Sequence, residues 1–221
     1  MEESPPLQSY AGWVTAEKAL RADARRNQQQ VLDAARELFI ERGLDCPLEE
    51  VARRAGVGIG TLYRRFGDRD ALIKAVLLDA LEQSLASAEQ ALGSGDDGLE
   101  GVAAYLREML DVRVSAVIPL ALDRLDDPDL DQARGASAAA LERLVDAAHD
   151  DGSLPPEITF GDLGTLLVRL SRPLSGMDTK ADNVLAHRHL DLVLAGLRTH
   201  PDLTETGPSR TELHRLGRSD D

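Results

Sequence analysis

Cysteine is nearly missing from this 221-residue chain: Cys46 stands alone, so an intrachain disulfide and a cysteine-based zinc site are both excluded. A small buried or cap-region residue is the expectation for Cys46, in a reducing compartment. Aromatic residues are scarce too, with three Phe, three Tyr and one Trp, and past Phe66 only Tyr105 and Phe160 remain. No stretch approaches the roughly 20 apolar residues of a membrane span. The opening MEESPPLQSYAGWV lacks the basic and apolar regions of a signal peptide, so a cytoplasmic protein with no membrane partner is expected. Internal repeats and strand-like alternation are absent, as are the G-x-S-x-G elbow, the G-x-x-x-x-G-K-[ST] loop and any βαβ pattern. No enzyme and no cofactor are expected. A metal is not expected either. His187 and His189 are two apart, which sends them to different faces of a helix, and DRLDDPDLDQ lacks the central Gly and terminal Glu of a calcium loop. The remaining histidines, His149, His200 and His214, form no ligand spacing.

What the chain has in quantity is negative charge, unevenly placed. The net charge is -14, yet Lys18 to Lys74 carries 12 basic against 9 acidic residues, while everything after Lys74 carries 13 against 27. One small region can attract a polyanion and the rest repels it. With 43% hydrophobic and 29% charged residues the composition is that of a folded globular protein.

The structured segments carry a helical period. In NQQQVLDAARELFIERG, Val31, Leu32, Ala35, Leu38 and Phe39 form one apolar stripe ended by Gly43. PLEEVARRAG predicts a helix of about two turns, with Pro47 in its first turn and Leu48, Val51, Ala52 and Ala55 on one face. After a turn at Gly56 to Gly58, IGTLYRRF predicts a second short helix that turns Leu62 and Phe66 inward. Two short helices about a glycine-containing turn make a helix-turn-helix. Asp68 then caps a long helix that runs to the Gly93-Ser94-Gly95 break. Further helices are expected over 98–118, 120–125, 130–150, 159–170 and 181–199, punctuated by Pro119, DDPD, DGSLPP and SGMD. The fold class is therefore all-α, with about nine helices. The expected division is a flexible arm over 1–24, a helix-turn-helix domain over 25–74, a helical domain over 75–200 and a flexible tail over 201–221.

The stretch RRAGVGIGTLYRRF carries the chemistry. Duplex DNA is read by a rigid element in the major groove whose donors reach phosphates and whose N-terminal residues lie near base edges. Gly60 lets the backbone approach a sugar-phosphate surface, Thr61 and Tyr63 offer hydroxyls, and the helix N-terminus attracts anions. Arg64 and Arg65 add charge. On helices, exposed arginines are commonly only solvated, so at most one of Arg53 and Arg54 is expected to make a contact, and Arg53 is the candidate. Lys18, Arg21, Arg25 and Arg26 precede the first stripe as a basic arm able to follow a backbone or enter the minor groove.

From about Asn27 to Val76 the chain resembles the DNA-binding region of the TetR family of bacterial transcriptional regulators, through VARRAGVGIGTLYRRFGDRDAL against the family pattern IA..AGVS.GTLY.HF..K..L. The resemblance implies three N-terminal helices that hold DNA, and about six more that form a ligand-binding and dimerisation domain from which an inducer releases the operator. It makes Gly60, Thr61 and Tyr63 backbone-contacting and gives Ile59 a position that in relatives often faces bases. Arg65 stands where the family often has a contacting histidine. Three departures stand out: Gly58 replaces a serine cap, Pro47 stands near a phosphate-binding threonine, and Gln28 and Gln29 occupy places where relatives often carry charge.

The function so implied is a homodimeric, sequence-specific DNA-binding regulator, a repressor of an inverted-repeat operator released by a small-molecule effector, and found in the cytoplasm or on the nucleoid. Its partners would be double-stranded DNA, a second copy and the effector. A mostly aliphatic effector pocket is expected, with Tyr105, Met109, Leu110, Phe160 and Met177 as candidate lining. ASAAALERLVDAA and VLAHRHLDLVLAGL are the candidate dimer helices. The alternative is a helical protein-interaction or sensing module without operator-selective DNA binding, favoured by the overall acidity, Pro47 and the glutamines.

Overall fold

Helices α1 (Leu7–Arg42), α2 (Leu48–Arg54) and α3 (Ile59–Phe66) open the computed structural model, followed by α4 (Arg69–Gly93), α5 (Gly98–Val112) and α6 (Val114–Ala121). Then come α7 (Pro128–Asp150), α8 (Phe160–Leu170), α9 (Thr179–Leu197) and α10 (Arg210–Leu216). The structure describes residues 7–121, 124–199 and 203–216, and among them there is no strand. The side chains of Lys18, Arg21 and His214, and all of His200, lie outside the described residues. The chain divides into two compact units, Met1–Leu72 and Ile73–Asp221, and α4 runs through the division.

In the first unit the apolar stripe of α1 is buried: Val31, Leu32, Ala35, Leu38 and Phe39 are at most 4% exposed. They share this core with Leu48, Val51 and Ala52 of α2 and with Leu62 of α3. Burying a side chain of the size of Phe39 is worth about 1.5–3 kcal/mol, which is why so short a pair as α2 and α3 can hold its shape. Cys46 is buried in the loop before α2. Burial pushes its thiol pKa up, against the opposing charge of Arg69. The arm expected to be flexible is instead helical from Leu7 onward and continuous with α1. The physical reason is compositional: no proline falls between Leu7 and Arg42, and Ala, Leu, Lys, Glu and Arg favour propagation.

In the second unit α5 is the central helix and packs against α6, α7, α8 and α9. Leu99, Val102, Leu106, Met109 and Leu110 are among its buried side chains. The single helix expected over 98–118 is broken in two, because Arg113 adopts a left-handed backbone with φ 54°. Its guanidinium meets the buried Asp182 carboxylate at 3.0 Å, and the other oxygen of Asp182 accepts the Leu174 N–H at 3.0 Å. That polar partnership across the chain stabilises a conformation that a non-glycine residue rarely takes. The helix expected over 120–125 does not form where the chain is described: α6 ends at Ala121 and 124–127 are non-helical. Pro119, expected as a breaker, lies inside α6.

The tail expected to be loose is anchored where it is described. Gly207 N–H donates to Glu157 O at 2.9 Å, and Thr159 Oγ1 donates to Pro208 O at 2.8 Å. A Cβ on Gly161 would stand 1.9 Å from Pro208 O, so only glycine lets the tail lie this close to the start of α8. Arg210 of α10 pairs with Glu142 at 3.2 Å.

Candidate nucleic-acid interface

The geometry of α2 and α3 turns on two glycines, Gly56 and Gly58. Helix α2 ends in a Schellman motif: Gly56, at φ 68°, donates to Arg53 O at 3.3 Å, and Val57 donates to Ala52 O at 2.9 Å. Gly58 then takes an extended conformation and caps α3 with no side-chain hydrogen bond. Its carbonyl accepts the N–H groups of Thr61 at 2.9 Å and Leu62 at 3.3 Å. The helix start so formed offers its first N–H groups to an outside acceptor. Pro47 is not in the first turn of α2 as expected but caps it, also without a side-chain bond, and α2 begins at Leu48.

Helix α3 buries Leu62, half-buries Phe66, and exposes Gly60, Thr61, Tyr63, Arg64 and Arg65. Gly60, Tyr63 and Arg64 share one face at i, i+3 and i+4. Tyr63 is 46% exposed, unusual for a large ring. Ile59 is half-buried. A Cβ added to Gly60 would meet nothing within 4 Å, so nothing inside the molecule requires glycine there.

The basic side chains fall into distinct groups. Arg54 is clamped by Glu41 through two 3.0 Å hydrogen bonds, with Glu37 at 3.2 Å, and these partners hold its pKa above the ordinary value, the Glu41 hydrogen bond most of all. Arg53, by contrast, keeps 77% of its side chain exposed and stands 3.9 Å from Glu50. Arg26 pairs with Asp23, and Arg42 with Glu50. Arg65 donates through Nη2 to Gln28 Oε1. Arg25 and Arg64 are exposed and have no polar partner among the described residues. A groove of about 420 Å³ lies where α1 meets α3, lined by Asn27, Gln28, Thr61, Arg64 and Arg65 with Val31, Val57, Leu62 and Phe66.

Two contributors were not read from the sequence. Arg69 donates to Leu44 O at 2.8 Å and to Cys46 O at 2.5 Å, tying the α1–α2 loop to the start of α4. Gln28 was read only as a missing charge, whereas its amide holds Arg65. Both partnerships join residues more than twenty positions apart, beyond any local spacing signal. Asp68, by contrast, caps α4 as its position suggests, accepting the Ala71 N–H at 2.8 Å.

The residues read as effector lining are dispersed. Tyr105, Met109 and Leu110 are buried on α5, Phe160 is half-buried at the start of α8, and Met177 is 39% exposed in the wholly exposed run 172–180. Met177 therefore does not line an interior cavity: the polar, glycine-bearing SGMD turn keeps it at the surface. The Tyr105 hydroxyl hydrogen-bonds with Ser84 at 2.9 Å, and Ser84 with Ser137 at 2.7 Å. Burial raises the Tyr105 pKa, so the ring stays a neutral phenol. Of the histidine pair, His187 bonds Asp111 at 2.9 Å and His189 is exposed, and no cluster of three metal-binding side chains occurs among the described residues. Nor is any described helix long and apolar enough to cross a membrane.

A helix-turn-helix borne by a small helical unit and followed by a larger all-α unit defines the class of helix-turn-helix transcriptional regulators. Residues 31–76 match the bacterial regulatory proteins of the tetR family, and residues 97–199 match the C-terminal domain of SbtR-like transcriptional regulators. The solved TetR transcriptional regulator SCO0520 of Streptomyces coelicolor is 32% identical, over 77% of this chain and 97% of that one, at TM-score 0.57. The TetR-like regulator LfrR of Mycobacterium smegmatis, solved in complex with proflavine, shares the fold at 19% identity and TM-score 0.56, over 76% of this chain and 96% of its own. An HTH-type transcriptional regulator of Staphylococcus aureus (strain USA300) is 39% identical over 54 residues, 24% of this chain and only 29% of that relative's length. The chain belongs to the TetR family of bacterial transcriptional regulators. Its helix-turn-helix is a DNA-binding domain, and its relatives are regulators rather than enzymes.

Proposed function

We propose that the protein is a homodimeric repressor that docks α3 in the major groove of an inverted-repeat operator and leaves it when a small molecule binds the second unit. The observation that carries this reading is the outer face of α3. Gly60, Thr61, Tyr63, Arg64 and Arg65 are exposed together beside an uncapped helix start, and Gly60 has no internal reason to be glycine. In this reading Gly60, Thr61 and Tyr63 meet the sugar-phosphate backbone, Arg64 and Arg65 meet phosphates, and Ile59 lies nearest the bases. Arg53, with Arg25 and Arg26 on α1, would reach the flanking backbone. Arg54 is assigned to the fold rather than to DNA, because Glu41 and Glu37 already hold its guanidinium against α1.

The dimer is assigned to α9. Its inward side chains Ala186, Leu190 and Leu194 are buried, yet Val184 and Leu192 are 63% and 59% exposed on its outer face. Helix α7, the other candidate, exposes Gln132, Ala136, Ala139 and Arg143 but no large apolar side chain, whereas α9 exposes Val184 and Leu192. For the effector, Tyr105, Met109, Leu110 and Phe160 remain the proposed lining; LfrR, the fold neighbour solved with proflavine, supports a small organic ligand in this fold.

The test is duplex binding across a salt series. Arg64→Ala should weaken binding and reduce the slope of log K against log salt by about one counterion. An unchanged slope would remove Arg64 from the phosphate contacts. Absence of any sequence-selective duplex would favour the interaction-module reading instead.

A further inference from the structure

The arginines of the first unit differ in what holds them. Carboxylates hold Arg42 and Arg54, so each of these already faces a negative group before any ligand arrives. Arg65 is held by the amide of Gln28, with the guanidinium Nη2 donating to Oε1. A neutral acceptor fixes the direction of a guanidinium without cancelling its charge. Gln28 can do so because it sits half-buried on α1 at the rim of the groove that it shares with Asn27, Thr61, Arg64 and Arg65.

We propose that Gln28 is a positioning residue for duplex binding: it holds Arg65, fully charged, in the direction of an incoming phosphate. This rests on the DNA-binding reading above. A long arginine side chain left unheld loses rotamer freedom when it binds, and a side chain already oriented loses less. Glutamate at position 28 would orient Arg65 equally well but would compete with the phosphate for it. Glutamine is the side chain of that length that orients without competing.

The test uses the full chain and a fluorescent duplex recovered with the wild-type protein from a random pool, titrated by anisotropy at several salt concentrations. Gln28→Ala should weaken binding about three- to tenfold, the scale of ordering one long side chain, and keep the wild-type salt slope. Gln28→Glu should weaken binding further and lower the slope by about one counterion. In an Arg65→Ala background, Gln28→Ala should add no further loss, because the two act as one unit. Wild-type affinity for Gln28→Ala, a full additive loss in the Arg65→Ala background, or a wild-type slope for Gln28→Glu would each overturn the proposal. Melting by circular dichroism checks each variant's fold, and should Gln28→Ala fail to fold, the slope of the length-preserving Gln28→Glu decides alone. Failure of the wild-type chain to recover any duplex would instead overturn the DNA-binding reading, and this role with it.

Discussion

Replacing Gly60 by alanine should move stability and binding in opposite directions. In the free protein a Cβ at this position meets no atom within 4 Å, and the backbone is not in the left-handed region. The substitution therefore acts on the fold only through helix propensity and the freedom of the unfolded chain, a gain of about 0.4–1 kcal/mol. For a chain of this size that corresponds to a rise in Tm of roughly 1–4 °C. Against a duplex the same methyl stands between the α3 backbone and the sugar-phosphate surface and pushes the first-turn N–H groups out of reach. Losing one charged hydrogen bond costs about 1.5–3 kcal/mol, so affinity should fall at least about tenfold. Melting by circular dichroism and anisotropy titration on one preparation read both effects. A stabilised variant that binds as tightly as wild type would refute the close approach, and a lower Tm would refute the open space around Gly60.

Two further outcomes follow from the second unit. Asp182→Ala removes a buried carboxylate and leaves the half-buried Arg113 guanidinium and the Leu174 N–H without their acceptor, so urea denaturation should show a loss of about 3 kcal/mol; a loss below about 1 kcal/mol would mean that the pair does not hold the α5–α6 junction. Leu192→Glu places a charge on the proposed dimer face of α9 while leaving the inward side untouched, and sedimentation should show monomers at concentrations where wild type is dimeric. A dimer that survives both Leu192→Glu and Val184→Glu would move the interface to another helix.

Local signals carried the helix-turn-helix. Gly56, Gly58 and Asp68 act on their own neighbours, so the α2 end, the α3 start and the α4 cap could be read from adjacent residues. The α7 start at Asp127 and the Thr159 cap of α8 obey the same chemistry and fall within two or three residues of expectation. What escaped reading depends on residues far apart in sequence. The kink at Arg113 needs Asp182, the anchored tail needs Gly161 and Glu157, and the difference between Arg53 and Arg54 needs Glu37 and Glu41 on another helix. No period or turn signal encodes those meetings. Met177 misled because an apolar side chain suggests an interior, whereas a turn of Ser, Gly and Asp holds it in solvent.

Selection of bound duplexes from a random pool by the full-length chain tests most directly whether the α3 face reads DNA. Two α3 helices related by dimer symmetry should enrich an inverted repeat whose half-sites lie about one helical turn apart, or a multiple of it, roughly 34–36 Å centre to centre for the single turn. Binding to the pool without enrichment, or enrichment of a site without two-fold symmetry, would contradict it.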